Sequence, residues 1–146
     1  MAIFVRDPIE RFVSAYLDKA VGNKNFIRRQ CCRRPDNNLT SDCTAARQSI
    51  QDFYKLAVIF DNPHWRPQNR RIRPDHIWNY INFVGHMETV AQDAERLLRR
   101  IEAWERYGAS GWNHASIFQN ELGRSHATNS ARKIANIVDY DMKQRL

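Results

Sequence analysis

The chain has 146 residues, 42% hydrophobic and 11% aromatic, enough for one domain with a modest core, and this composition excludes an intrinsically disordered protein. Its 23 Lys and Arg against 16 Asp and Glu give a formal charge of +7, which favours an anionic partner without naming one: nucleic acid, anionic lipid, sulfated sugar or phosphorylated cofactor. No stretch approaches the roughly 18 apolar residues of a spanning helix, and the N-terminus lacks the basic and apolar regions of a signal peptide.

In chain order, Ala2-Ile3-Phe4-Val5 is a continuous apolar run that predicts a strand buried on both faces. Because the chain opens on this core strand, a preceding segment is expected. Asp7, Pro8 and Glu10 supply a helix start, and Ile9, Phe12, Val13, Tyr16, Leu17 and Ala20 form one helical stripe that stops at Gly22. Residues 23–43 are polar and basic and read as an exposed excursion; they include a glycosylation sequon, Asn38-Leu39-Thr40. A helix is predicted from about Asp42 to Lys55 with Ile50, Phe53 and Tyr54 inward, and Leu56 to Phe60 either extends it or forms a short strand. Two prolines make 61–68 irregular.

Ile77 to Val84 reads as a second strand, ended by Gly85. From Thr89, Val90, Ala94, Leu97, Leu98, Ile101 and Trp104 predict one helix running to Gly108, with Asp93, Glu95, Arg96, Arg99, Arg100 and Glu102 on a solvated face. Residues 108–128 look loop-rich, and a last short helix runs from about Asn129 to Val138. Strands alternating with helices predict an α/β layered fold with too few strands for a normal sheet. The three cysteines, Cys31, Cys32 and Cys43, allow one internal disulfide, Cys43 with either neighbour, and lack the spacing and fourth ligand of a zinc site. No metal is expected.

The chemistry concentrates in Phe4-Val5-Arg6-Asp7-Pro8-Ile9-Glu10-Arg11-Phe12-Val13-Ser14-Ala15-Tyr16. Arg6 falls at the carboxyl end of a predicted strand, where open α/β sheets bind ligands, and the following helix directs its amino end to the same place. Ser14 lies off the apolar stripe. A guanidinium and a hydroxyl near a helix start suit an oxyanion, the alternative being that Arg6 pairs with Asp7 or Glu10.

This segment resembles the 3′-phosphate-binding motif of sulfotransferases that use 3′-phosphoadenosine 5′-phosphosulfate (PAPS), in which an Arg at a strand end and a Ser eight residues later grip the nucleotide's 3′-phosphate. Its wording looks like that of the Golgi carbohydrate sulfotransferases acting on chondroitin, dermatan and related glycans. His64-Trp65-Arg66-Pro67-Gln68 and Asn82-Phe83-Val84-Gly85 with Met87-Glu88-Thr89 are similar to further family segments in the same order, and His126-Ala127-Thr128 and Asp139-Tyr140 look like its C-terminal region.

The resemblance implies a partial P-loop-like sulfotransferase fold: a truncated parallel sheet with flanking helices, forming one domain fragment over 1–146 without the part that binds the 5′-phosphosulfate. It implies sulfuryl transfer from PAPS to a glycan hydroxyl, with Arg6 and Ser14 holding the nucleotide. Arg11 either adds charge there or forms a surface ion pair. His64 is the candidate base, because imidazole titrates near neutrality, or else part of a rigid structural loop beside a Trp65 that either stacks on a ring or anchors the core. His126 and Lys133 are placed among residues that close over the cofactor. The Arg66, Arg70, Arg71 and Arg73 run suits an acidic glycan or is a solvated loop.

The family's Lys-containing phosphosulfate loop is absent from the sequence, and Arg71-Ile72-Arg73-Pro74-Asp75 stands where a Cys pair is usual, so the disulfide framework is altered. The family implies a Golgi location, with any membrane anchor upstream. The alternatives are a non-catalytic remnant of the family, a small basic nucleic-acid-binding protein, or an interaction domain docking through the Thr89–Trp104 helix. No basic face joined to stacking aromatics is present, so no nucleic-acid partner is expected.

Overall fold

The computed structural model describes residues 1–23, 25–30, 40–72, 74–108 and 130–145, which group into two compact units. The first holds residues 1–7 and the described part of 72–127; the second holds 8–71 and the described part of 128–146.

The first unit is built on a parallel pair of strands, β1 (Ala2–Val5) and β2 (Phe83–His86), in register Ala2↔Phe83 to Val5↔His86. The expected strand over Ile77–Val84 is corrected here. Asp75–Tyr80 is a 3-10 helix, and extension begins only at Phe83. The pairing itself sets that boundary. The ladder opens at Ala2 opposite Phe83, and just before it the Asn82 N–H donates to the Met1 carbonyl (3.0 Å). Ile3, Phe4 and Val5 are half-buried rather than enclosed on both faces. Phe83 and Gly85 are the buried positions of β2, and Gly85 is a close approach: a Cβ there would come within 2.5 Å of the Phe4 ring.

Helix α5 (Val90–Arg100) follows β2, and a separate turn of helix, α6 (Trp104–Tyr107), replaces the expected continuous helix to Gly108. The break is a Schellman stop. Glu102 takes φ 56°, its N–H donates to the Arg99 carbonyl, and the Ala103 N–H donates to the Leu98 carbonyl. Ile101, placed in the stripe from sequence, is exposed at the stop.

The second unit is helical. Helix α1 (Pro8–Ala15) continues into a π-helical stretch, Tyr16–Gly22, and buries Phe12, Val13, Ala15, Tyr16 and Ala20, following the predicted stripe. Helix α2 (Phe26–Gln30) contributes Ile27. The single helix expected over 42–55 is two: α3 (Thr40–Ala45) and α4 (Ile50–Ile59), the latter extending through 56–59. Ser49 divides them, because its hydroxyl caps α4 by accepting the Asp52 N–H (3.0 Å). After a 3-10 turn at Gln68–Arg71, α7 (Ser130–Ile137) packs on α1, and α8 (Tyr140–Arg145) adds Met142 to the core. Phe53 is fully enclosed, with the rings of Phe12, Tyr16 and Trp65 at 5.2, 5.6 and 5.2 Å. Cys43 is disulfide-bonded; its two possible partners, Cys31 and Cys32, lie outside the described residues, as does the Asn38 sequon.

Candidate functional site

Arg6 is the first residue past β1, at the carboxyl edge of the parallel pair, and is partly exposed. The turn it begins is braced within its own unit. The Asp7 N–H donates to Glu88 Oε1 (2.7 Å), and the Met87 N–H donates to the Val5 carbonyl (2.8 Å). Glu88 thus fixes the backbone beside Arg6, and Thr89 opens α5.

Behind that edge lies Asp93, which sequence analysis assigned to a solvated face and which is in fact buried at 5% exposure. Its Oδ2 accepts the His86 N–H (2.7 Å) and the Thr89 hydroxyl (2.9 Å), and its Oδ1 pairs with Arg96 (3.0 Å). Accepting the His86 amide, then the Thr89 hydroxyl, holds its carboxyl below the usual carboxylate range, with the Arg96 charge adding to this. The signal was present: Asp93 sits three residues after Val90 and four before Leu97, so helical periodicity places it on the apolar side.

In the second unit, Ser14 lies on α1 among buried Phe12, Val13 and Ala15, yet is itself partly exposed, as a residue off the stripe should be. Arg11, on the same helix, reaches the loop after α4. One of its terminal nitrogens donates to the Arg66 carbonyl (2.6 Å) and the other to the Pro63 carbonyl (2.7 Å). Between those carbonyls stand His64 and Trp65. The Trp65 ring is buried and its indole N–H donates to the Phe60 carbonyl (2.7 Å), so this residue is the core anchor.

His64 stays exposed, its N–H donating to Asn62 Oδ1 (3.0 Å) and its ring meeting Phe26 edge-on at 5.4 Å. Dehydration by its packed neighbours lowers its pKa first, the Lys19 ammonium second, with Arg71 and Arg11 adding and Asp18 opposing. His64 is therefore kept neutral, the state in which imidazole accepts a proton. Of the arginine run, Arg66 pairs with Asp61 (2.6 Å), and Arg73 lies outside the described residues. Lys133 is exposed on α7, where Ser130 reaches Glu10 of α1 (3.3 Å). His126 lies outside the described residues.

Among the described residues no group of three or more His, Cys, Asp or Glu is placed to hold a metal, and no helix is long and apolar enough to cross a membrane. The α/β character and the parallel strand pair are compatible with part of a sulfotransferase fold.

Comparison with known proteins supplies what geometry leaves open. The chain is 30% identical over 111 residues to carbohydrate sulfotransferase 11 of Rattus norvegicus, covering 66% of this chain and 31% of that protein. It is 31% identical over 120 residues to carbohydrate sulfotransferase 12 of Mus musculus, covering 68% and 28%. The chain thus spans about a third or less of the curated relatives it matches. No solved structure gives a significant match. The profile of the sulfotransferase family matches residues 1–146 in full, and the chain belongs to that family.

Proposed function

We propose that this chain is the nucleotide 3′-phosphate-binding portion of a carbohydrate sulfotransferase that moves a sulfuryl group from PAPS to a glycan hydroxyl. The observation that carries the reading is family membership over the whole chain, joined to a partly exposed Arg6 at the exit of a parallel strand and a partly exposed Ser14 eight residues later on α1. A guanidinium and a hydroxyl are the donors that a phosphate dianion takes.

The bound donor supplies the sulfuryl group and a phosphate leaving group. The rest falls to side chains. Arg6 and Ser14 hold the nucleotide by its 3′-phosphate, which fixes the direction of in-line attack. Lys133 is the further cation of the cofactor site. His64, neutral and exposed, accepts the proton of the acceptor hydroxyl as the sulfur–oxygen bond forms and the bond to the nucleotide's 5′-phosphate breaks. The acceptor is a glycan, in keeping with relatives named as carbohydrate sulfotransferases, and the compartment is the Golgi lumen, on the motif resemblance alone.

The test is Arg6→Ala in the full-length gene product, titrated calorimetrically with adenosine 3′,5′-bisphosphate. Affinity should fall at least tenfold, about 1.4 kcal/mol or more, with an unchanged circular dichroism spectrum. Unchanged affinity removes Arg6 from the site and the reading with it.

A further inference from the structure

We propose that Arg11 is a positioning residue for His64: it pins the loop that presents the imidazole, and is not itself a ligand of the nucleotide. The inference rests on the proposed role of His64, and it concerns a side chain that sequence analysis assigned to the cofactor or to a surface ion pair.

The geometry is that of a brace. The two terminal nitrogens of one planar guanidinium, carried on α1, donate to the Pro63 and Arg66 carbonyls at 2.7 and 2.6 Å. These carbonyls flank His64 and Trp65 on either side. The loop has no strand or helix of its own at 61–67; a turn in which the Asn62 carbonyl accepts the Trp65 and Arg66 N–H groups (3.1 and 2.7 Å) shapes it from within, and side chains fix it to the rest of the unit. Asn62 ties the His64 N–H from within the loop, Trp65 anchors into the core, and Arg11 closes the span from outside. Arg11 and Ser14 share α1, so the helix proposed to grip the nucleotide also sets where the imidazole stands.

The charged groups that bear on His64 are Lys19 and Asp18 from the π-helical stretch, Arg71 from the 3-10 turn and Arg11 from α1; Phe26 and Lys19 also meet on one ring face, 5.4 Å from ammonium to centroid. A single ammonium in place of Arg11 would keep the positive charge yet span only one of the two carbonyls. The loop would then loosen, His64 would gain water, and the largest cause of its lowered pKa would weaken.

The experiment follows the His64 imidazole by NMR in the 146-residue chain. Arg11→Lys is expected to raise its apparent pKa toward the ordinary imidazole value and to speed exchange of the Trp65 indole N–H. Asn62→Ala frees the same loop without touching α1 and is expected to move His64 in the same direction. In parallel, the affinity of the full-length product for adenosine 3′,5′-bisphosphate should stay within about twofold in Arg11→Lys, since a phosphate ligand would cost a factor of ten or more. Superimposable His64 titrations in wild type and both variants overturn the inference. So does a tenfold loss of nucleotide affinity with an unmoved His64, which would make Arg11 a nucleotide ligand. A wild-type protein that binds no nucleotide sinks the proposed function instead, and leaves the His64 titrations to decide the role of Arg11.

Discussion

Each of the two units is stabilised internally by different physics. In the helical unit, Phe12, Val13, Tyr16, Ala20, Ile27, Phe53, Leu56 and Trp65 are all buried around one aromatic centre. In the sheet unit, among the described residues, Phe83 is the buried large hydrophobic, and what organises the strand edge is a buried carboxylate, Asp93, tying the end of β2 to the start of α5. A core of close-packed rings loses contacts steeply when an atom is deleted, whereas a polar clamp fails when its charge is removed. Arg6 thus stands beside backbone fixed by hydrogen bonds, and Ser14 on a helix fixed by packing.

That contrast can be broken, and Phe53→Ala offers the largest effect. It should cost about 3–5 kcal/mol in a chemical melt, against a clearly smaller loss for Phe83→Ala, whose ring has Phe4 at 6.1 Å and the Arg96 guanidinium at 5.2 Å. Equal losses would erase the distinction between the units.

Acid should sharpen it. His64 has a lowered pKa, so the unfolded chain binds its proton first; its stability is intact above the ordinary 6.5 and is lost as pH falls through the lower folded value. Asp93 is also lowered, so its contribution is intact above the ordinary 3.8 and fades only as pH falls through a value below that. Hydrogen exchange measured stepwise in pH should therefore show the Trp65 indole losing protection before the His86 amide. Asp93→Asn should remove the second, more acidic step, and a single step for both probes would contradict the assignment. The smallest effect is local: Ser49→Ala should cost about 1 kcal/mol, seen as faster exchange of the Asp52 amide with the rest of α4 protected.

Much of this was legible in the residues. The Ala2–Val5 run, the Asp7-Pro8 helix start and the stripe from Phe12 to Ala20 follow from period and cap chemistry, and the helix expected from about Asn129 to Val138 is found as Ser130–Ile137, although the helix after it, Tyr140–Arg145, was not foreseen. The misreadings have particular causes. Residues 77–84 are apolar enough for a strand, but extension begins only where pairing with β1 does, at Phe83 opposite Ala2, and Asp75–Tyr80 winds into a 3-10 helix. Ser49 reads as helix filler until its hydroxyl is seen to cap a new helix. Glu102 carries no Gly or Pro warning of a stop. Asp93 was legible from its spacing and was overlooked because its charge suggested solvent. The Arg11 brace was not legible, since a guanidinium bonding carbonyls 52 and 55 residues away leaves no local pattern.

The stop at Glu102 has a consequence for how this part of the chain can change length. By turning the backbone left-handed after Ile101, it returns Trp104 over Arg99 at 4.9 Å and lays Gly108 against the indole, where a Cβ would not fit. Each helical residue rotates the next by about 100°, so one residue added or lost between Arg99 and the stop would swing the indole off Arg99 entirely. The α5–α6 corner is in effect a ruler: it accepts changes of residue type along its outer face, but not changes of count.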